Sequence, residues 1–229
     1  MIARLTDRTT LARLWHGTVA AIVLAAMVVQ IKIALNAPGR PSGHETGYLA
    51  GATLPGRILR VLSFFTIQSN LIVAWTSGQL AARPNRDGPL WRVVRLDGLF
   101  GIAVTGIVYA TVLARMHEPK GWEQVSTNTA FHYVVPIMAV LGWLLFGPRP
   151  RVTSAVVLSS LVWPVLWLGY TLIMGEITKW YPYPFLHVPT QGYGRVLLNA
   201  LAVTAVFGLV AYGIGVADKR LRPTPSAGT

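Results

Sequence analysis

A threonine and a histidine lie within apolar stretches of this 229-residue chain, where membrane lipid disfavours polar side chains. Thr66 lies in the apolar stretch that begins near Ile58, and Asn70 lies one helical turn after it. His132 lies in a later apolar stretch, four residues after Asn128. A hydroxyl beside a neutral imidazole is the minimum set for nucleophilic acyl transfer, because the imidazole takes the hydroxyl proton during attack and returns it to the leaving group. The residue types are therefore compatible with an ester-cleaving site.

The same residues also have a structural interpretation. Hydroxyl and amide side chains on one face of the second stretch can hydrogen-bond neighbouring helices in a membrane bundle, as such side chains commonly do. That face carries Ser63, Thr66, Ser69 and Asn70. A single histidine in a bundle is often a hydrogen-bonded core residue. Residue type alone leaves both interpretations open.

Helical rise places the threonine and the histidine at similar depths. If the second stretch enters the membrane near Ile58, Thr66 lies about 12 Å below that surface at about 1.5 Å per residue. If the fourth stretch enters near Thr127 from the same side, His132 lies about 8 Å below it. A site at this level suits a lipid-like ester whose chains enter sideways from the bilayer. Four further residues are candidates for contacting an oxyanion, orienting His132 or lining the cavity: Asn70, Asn128, Tyr109 and Tyr170.

Composition sets the environment in which these residues act. Hydrophobic residues make up 53% of the chain and charged residues 12%, about half of the roughly 25% usual in soluble domains. These values exclude an ordinary soluble globule and a disordered chain. The chain has no cysteine, which excludes a disulfide, a thiol nucleophile and a thiolate metal site. The net charge of +12 is interpreted as contact with anionic lipid head groups rather than with nucleic acid.

Runs of about 20 apolar residues are long enough to cross a bilayer as helices. The sequence predicts an all-α fold, a single domain over residues 1–229 built as a bundle of six transmembrane helices. The first helix is predicted to be a retained signal anchor, because it is longer than the core of a cleaved signal peptide. Residues 219–229 are predicted to be disordered. The six predicted spans cover residues of about 14–35, 58–82, 93–114, 129–146, 152–174 and 196–216.

Basic residues predict the orientation of the bundle. Twelve of the 20 Lys and Arg residues would lie on the side of the two termini and seven on the other side, so both termini are predicted to be cytoplasmic. The side away from the termini is called the outer side below, and its loops are the longer ones. Asp97 is assigned to the cytoplasmic side, so the sequence predicts no buried carboxylate.

Three short blocks carry a resemblance to a known family. They are residues 64–71 (FFTIQSNL), residues 128–132 (NTAFH) with Pro136 downstream, and residues 183–186 (YPFL). Their order, spacing and six-span frame resemble the androgen-induced family of membrane threonine hydrolases, which includes the androgen-dependent regulator of tissue factor pathway inhibitor. The short extensions and basic loops are similar to a bacterial branch of that family.

The resemblance implies a specific activity. Members of the family hydrolyse fatty acid esters of hydroxy fatty acids within the membrane. By position, Thr66 would be the nucleophile and His132 the general base and acid. The resemblance implies no cofactor and no metal, a lipid-like substrate that enters from the bilayer, and a location in the bacterial inner membrane.

Three other functions remain open from the residues. The chain could be a transporter or channel, although that class often uses a buried carboxylate, or a membrane protein without catalytic activity. It could also be a metal-dependent hydrolase, although no helical zinc signature such as H-E-x-x-H is present. The candidate metal ligands are His117, Glu118, Glu123, His132, Glu176 and His187.

Overall fold

The computed structural model describes residues 2–37, 49, 51–116 and 118–224, with side chains from residue 8 onward. Every regular element in these residues is helical, which confirms the predicted all-α class. The α-helices are α1 (Ile2–Asn36), α2 (Leu54–Ser63), α3 (Phe65–Ala82), α4 (Pro89–Val108), α5 (Gly121–Thr129), α6 (Val135–Phe146), α7 (Ser154–Ser160), α8 (Val162–Thr178) and α9 (Val188–Arg220). Two π-helical segments, Tyr109–Leu113 and Ala130–Val134, follow α4 and α5, and a 3₁₀ turn covers Pro184–Leu186.

Five helical stretches in the described residues are long and apolar enough to cross a membrane. They are Arg8–Asn36, Pro89–Leu113, Gly121–Phe146, Ser154–Thr178 and Val188–Arg220. The pair α2 and α3 makes a sixth if the two helices cross as one span. The sequence predicted a continuous helix over residues 58–82, but α2 and α3 meet at an angle of 73°.

The break between α2 and α3 is stabilised by one side chain from α8 and one from α3 itself. Phe64 has an extended backbone (φ −68°, ψ 129°) and ends the hydrogen-bonding of α2. The indole N–H of Trp167 donates to the carbonyl of Ser63 at 2.9 Å, and the amide of Gln68 donates to the carbonyl of Leu62 at 3.0 Å. An unsatisfied backbone group in lipid costs several kcal/mol, roughly, so these partners make the bend tolerable.

Helix α3 occupies the middle of the bundle, between α1 and α4. One apolar cluster joins α1, α3 and α6, and a second joins α4, α8 and α9 to the start of α3. In the second cluster, the ring of Phe65 stacks on Trp163 with centroids 4.4 Å apart and meets Trp167 edge-on at 5.2 Å. The start of α3 is thereby fixed by aromatic packing directly beside the break.

Charged groups connect the loops at the end of the bundle where α3 and α4 are joined. Asp87 contacts Arg92 at 2.6 Å and Arg151 at 3.3 Å, and the hydrogen bond from Arg92 lowers the pKa of Asp87 to about 2. Asp218 in α9 accepts hydrogen bonds from the backbone N–H groups of Arg151 and Val152, at 2.6 and 2.8 Å. Two ion pairs and two capping bonds therefore hold this end together.

The C-terminal segment contacts the loop before α7. Helix α9 continues to Arg220, and the hydroxyl of Thr224 accepts a hydrogen bond from the backbone N–H of Arg149 at 2.9 Å. Residues 219–224 thus contact the loop before α7, and the disorder predicted for residues 219–229 stays a prediction. Residues 225–229 lie outside the described part of the chain.

Replacing Trp167 with Phe tests the origin of the break. The substitution keeps an aromatic ring but leaves the Ser63 carbonyl without its donor, so we expect the free energy of unfolding to fall by about 1–3 kcal/mol. Thermal unfolding of the detergent-solubilised protein measures this change. Trp75→Phe is the matched control, because Trp75 is 50% exposed. Equal loss of stability in both variants would contradict the assigned role of Trp167.

Candidate functional site

A cavity of about 270 Å³ lies at the outer side, beside the break between α2 and α3. Thr66 and His132, the two residues predicted to act together, both line it. The rest of the wall is mainly apolar, with Ile33 from α1 and Val61 from α2 among its members. Its polar lining residues include Gln30, Thr66, Tyr109, Asn128, His132 and Tyr183. We call this space the Thr66 cavity.

Thr66 is the second residue of α3, where backbone N–H groups have no acceptor within the helix. Its N–H donates to the hydroxyl oxygen of Tyr183 at 3.3 Å, and its own hydroxyl lies 3.3 Å from the same oxygen. The N–H of Phe65 also approaches that oxygen. The partial positive charge of a helix N-terminus is therefore directed at the position where the hydroxyls meet.

Tyr183 belongs to the segment between α8 and α9 and is 8% exposed. Its ring packs edge-on against Phe64, with centroids 5.6 Å apart, and against Trp167 at 5.9 Å. Burial raises the pKa of the Tyr183 hydroxyl, so the group is protonated at neutral pH and can donate a hydrogen bond. In the sequence, Tyr183 belongs only to a block that carries the family resemblance, and no role is predicted for it there. The block Tyr-Pro-Phe-Leu at residues 183–186 is the sequence feature that could have indicated a role for Tyr183 in the site.

His132 is oriented by its own helix and by a stacked ring. The carbonyl oxygen of Asn128 lies 3.1 Å from Nδ1 of His132. Because a carbonyl only accepts, Nδ1 carries the proton, and Nε2 is then the basic nitrogen. The ring of Tyr109 stacks on the imidazole, with centroids 3.9 Å apart and planes 24° apart, and the Tyr109 hydroxyl lies close to the Asn128 side chain.

The π-helical segment that carries His132 has a local cause in the sequence. Pro136 has no N–H, so the carbonyl of His132 cannot form the usual α-helical bond four residues on. Gly106 of α4 faces this region, and a Cβ there would lie 3.1 Å from Cβ of Pro136. The missing side chain lets α4 approach the other helix closely, which places Tyr109 against His132.

The hydroxyl of Thr66 is paired with Tyr183 and not with the imidazole. Thr66 and His132 face one cavity, but the described hydrogen bonds of Oγ1 include no nitrogen of His132. Proton transfer between them therefore needs a bridging water or substrate group, or a change of rotamer. Catalytic contacts that are long before substrate binds and tighten in the complex are common in enzymes.

Asn70 was predicted as an oxyanion contact, but it is fully buried and does not line the Thr66 cavity. Its amide donates to the carbonyls of Thr66, at 2.8 Å, and Phe131, at 3.3 Å. The side chain therefore connects the first turn of α3 to the π-helical segment of His132. Helical periodicity placed Asn70 on the same face as Thr66 but could not show that backbone groups occupy its amide.

Tyr170 does not reach the Thr66 cavity either. It lines a second cavity of about 200 Å³, where its hydroxyl lies 2.7 Å from the hydroxyl of Ser63. The bend of 73° turns α2 away from the axis of α3, so Ser63 and Thr66 face different cavities. A continuous helix would have kept both on one face.

Asp97 corrects the expectation that no carboxylate is buried. It lies within α4 and is 7% exposed, and Arg95 on the same helix is also 7% exposed. His16 of α1 is 2% exposed, and the positive charge of Arg95 acts on its imidazole. Because Asp97 is a buried carboxylate, the lack of one no longer counts against a transport function.

The proposed metal ligands do not assemble in the described residues. No group of three or more His, Asp and Glu side chains there lies close enough to hold a metal ion. Glu123 instead pairs with Lys32 at 2.6 Å, and Glu176 with Lys179 at 2.5 Å. His117 lies outside the described residues, as do His44 and Glu45 of the first outer loop.

Comparison of the chain with family models, curated protein sequences and solved structures gives no match. The resemblance to the androgen-induced family therefore stays a prediction based on three short blocks. The fold and the cavity define the chain as a helical protein with apolar helices long enough to span a membrane and a polar cluster between them.

Proposed function

We propose that this protein is an intramembrane hydrolase of lipid-like esters, with Thr66 as nucleophile and His132 as general base and acid. The observation that carries the proposal is that both residues line one cavity of about 270 Å³ beside the start of α3. The bundle would lie in the bacterial inner membrane with both termini cytoplasmic, in contact with anionic lipids. Neither a cofactor nor nucleic acid enters the proposal.

The reaction proceeds in two halves. The Thr66 oxygen attacks the ester carbonyl carbon, and Nε2 of His132 takes the hydroxyl proton. The tetrahedral intermediate collapses, the C–O bond to the alcohol breaks, and His132 returns the proton to the leaving alcohol. Water then attacks the acyl-threonine with the same base, which releases the carboxylic acid and restores Thr66. The Asn128 carbonyl and the Tyr109 ring keep the imidazole in the required tautomer and plane.

Tyr183 and the start of α3 supply the charge stabilisation that this step needs. The hydroxyl oxygen of Tyr183 lies 3.3 Å from Oγ1 of Thr66, the nucleophilic oxygen. The backbone N–H of Thr66 donates to the same Tyr183 oxygen, also at 3.3 Å. Donors directed at a developing oxyanion act most strongly where water is excluded. Tyr183 is protonated and buried, so its O–H is the donor that we assign to the oxyanion.

Apolar walls support a lipid-like substrate. The cavity extends past Leu113 and Met116, and Met116 is 62% exposed at the surface of the bundle. An acyl chain could therefore lie between the Thr66 hydroxyl and the surrounding lipid. The resemblance suggests a fatty acid ester of a hydroxy fatty acid as the substrate.

Thr66→Ala and His132→Ala test the catalytic pair. We expect each to lower the hydrolysis of a p-nitrophenyl ester by the purified protein by at least about 10²-fold, because each removes an essential atom of acyl transfer. Thr66→Ala should also abolish labelling by a fluorophosphonate probe. Release of p-nitrophenol and in-gel fluorescence are the measurements.

Thr111→Ala is the matched control for that experiment. Thr111 is exposed, and the one bond of its hydroxyl to a described residue is to the carbonyl of Ile107, one turn earlier. Wild-type rates for both Thr66→Ala and His132→Ala, or labelling that persists in Thr66→Ala, would contradict the proposal.

Tyr183→Phe tests the oxyanion assignment separately. Loss of the O–H should lower kcat by about 10²-fold, the usual cost of one oxyanion donor, with a much smaller change in KM. Tyr193→Phe is the control, since Tyr193 is 53% exposed and, within the described part of the chain, its hydroxyl bonds only to Glu176, at 3.4 Å. An unchanged kcat, or a change confined to KM, would assign Tyr183 a structural role alone.

Ion transport is the second candidate function, and the buried Asp97 favours it. A carboxylate at membrane depth is costly and often lies on a proton or ion path. If the protein conducts protons, liposomes that contain it and a pH-sensitive dye should acidify under an imposed potential, and Asp97→Asn should slow this flux at least about tenfold. Asp87→Asn makes the same charge change in a loop and should not. Flux no greater than that of protein-free liposomes would exclude this candidate.

A further inference from the structure

An arginine lies in the interior of the bundle, in the half where α3 and α4 are joined. Arg95 belongs to the apolar stretch Pro89–Leu113 and lies about 9 Å from Pro89 along the axis of α4, at about 1.5 Å per residue. Its side chain is 7% exposed, and its Nη1 donates to the hydroxyl oxygen of Thr76 in α3 at 3.4 Å. Arg95 is therefore buried between helices and is not part of the basic surface of the loops.

One edge of the Arg95 guanidinium, formed by Nε and Nη2, is not hydrogen-bonded. Both atoms are buried, and neither has a partner among the described residues. In Arg92, three residues earlier, the same two atoms donate to the two carboxylate oxygens of Asp87, at 2.6 and 2.7 Å. The open edge of Arg95 is thus the edge with which a guanidinium holds a carboxylate by two parallel bonds.

The charge of Arg95 is not neutralised by an acid of the described residues, because none of their ion pairs includes it. Asp97 lies on the opposite side of α4, roughly 200° around the axis at about 3.6 residues per turn. The imidazole of His16 in α1 is near enough for the charge of Arg95 to act on it, but it offers no negative charge. A buried cation without a counter-charge is costly, which indicates that an anion completes it.

Two more buried donors at this end of α3 and α4 have no partner in the described part of the chain. Trp91 is 4% exposed and lies one turn before Arg95 on the same face of α4, with its indole N–H unbonded. Ser77 follows Thr76 in α3, is 1% exposed and has an unbonded hydroxyl. Both groups can donate to an anion, so the region is rich in donors that an acceptor would satisfy.

We infer that Arg95 binds a small planar oxyanion in the interior of the bundle, of the class of formate, nitrate and bicarbonate, with two of its oxygens on Nε and Nη2. The fork needs two oxygens on one side of a planar group, which a halide lacks. The anion is small because Arg95 is 7% exposed and lines neither of the two cavities. The loop between α3 and α4 carries Arg83 and Arg86, whose charges attract anions to this end of the bundle.

Thermal unfolding of the purified full-length protein in detergent tests the inference. Sodium formate or sodium nitrate replaces sodium gluconate, a carboxylate too large for a buried site, at constant ionic strength. A ligand that binds only the folded state raises Tm, so we expect a rise of about 3 °C or more at about 100 mM of either anion. Chloride should raise Tm less. Equilibrium dialysis with radiolabelled formate measures the affinity directly.

Two substitutions of Arg95 make the test specific. Arg95→Met should abolish formate binding and its effect on Tm, and in gluconate alone it should not lower Tm, because an apolar chain replaces an unpaired buried cation. Arg95→Lys keeps the charge but not the planar fork, so we expect the affinity for formate to fall at least about tenfold. Size-exclusion chromatography checks that each variant is folded, and Arg95→Lys carries the test alone if Arg95→Met aggregates.

Arg149→Met is the matched control. Arg149 is also buried, at 6% exposed, but its Nη1 already donates to the carbonyls of Trp143 and Leu144. Its replacement should lower Tm in gluconate and leave the formate response unchanged. An equal formate response in wild type and Arg95→Met, or a fall of Tm in Arg95→Met as large as in Arg149→Met, would overturn the inference. Displacement of labelled formate by chloride as readily as by nitrate would overturn the assignment to an oxyanion.

This binding site is independent of the proposed hydrolase function, and Thr66→Ala separates the two. Thr66 lines a cavity that Arg95 does not line, so the formate response of Thr66→Ala should equal that of the wild type. Loss of the response in this variant would overturn the inference of a separate site. Conversely, a wild-type protein that fails to hydrolyse p-nitrophenyl esters but binds formate would contradict the hydrolase proposal alone.

Discussion

A broken helix inside a membrane must find hydrogen-bond partners for the backbone groups that the break releases, and this requirement organises the outer half of the molecule. At Phe64 the ladder between α2 and α3 stops. Trp167 satisfies the carbonyl of Ser63, Gln68 that of Leu62, and Tyr183 accepts from the N–H of Thr66. These partners come from α8, from α3 itself and from the segment before α9. The bend therefore exists only because the rest of the bundle is folded around it.

The break between α2 and α3 also brings together the polar groups of the candidate site. Because α3 begins at Phe65, Thr66 lies in its first turn and presents its hydroxyl and N–H to one cavity. Tyr183 both completes the backbone of the break and lies beside the proposed nucleophile. On the opposite wall, Pro136 removes an α-helical hydrogen bond at the carbonyl of His132, where the π-helical segment lies. Both candidate catalytic residues thus lie where the backbone departs from regular α-helix, as functional residues often do.

The limits of the sequence-based site prediction are visible in individual residues. Thr66, His132, Asn128 and Tyr109 were predicted and do line one cavity. Asn70 and Tyr170 do not, because helical periodicity gives the face of a residue but neither the partner of its amide nor a bend of 73°. Asp97 was assigned to the cytoplasmic side, since hydropathy cannot distinguish a residue at the membrane surface from one that packing has buried. Tyr183 was missed as a site residue because its contact with Thr66 joins positions 117 residues apart.

The sequence by itself determined the helical class, the approximate places of the apolar stretches, and the residue types from which a hydrolytic pair could be built. It could do so because hydrophobic run length, proline and glycine act locally along the chain. The tertiary structure alone decided where the second stretch breaks, which hydroxyl lies at the start of α3, and that two separate cavities lie on either side of the bend. No proline or glycine marks the break at Ser63-Phe64-Phe65; its backbone groups are satisfied largely by side chains about 100 residues away in sequence, as in the bond from Trp167 to Ser63.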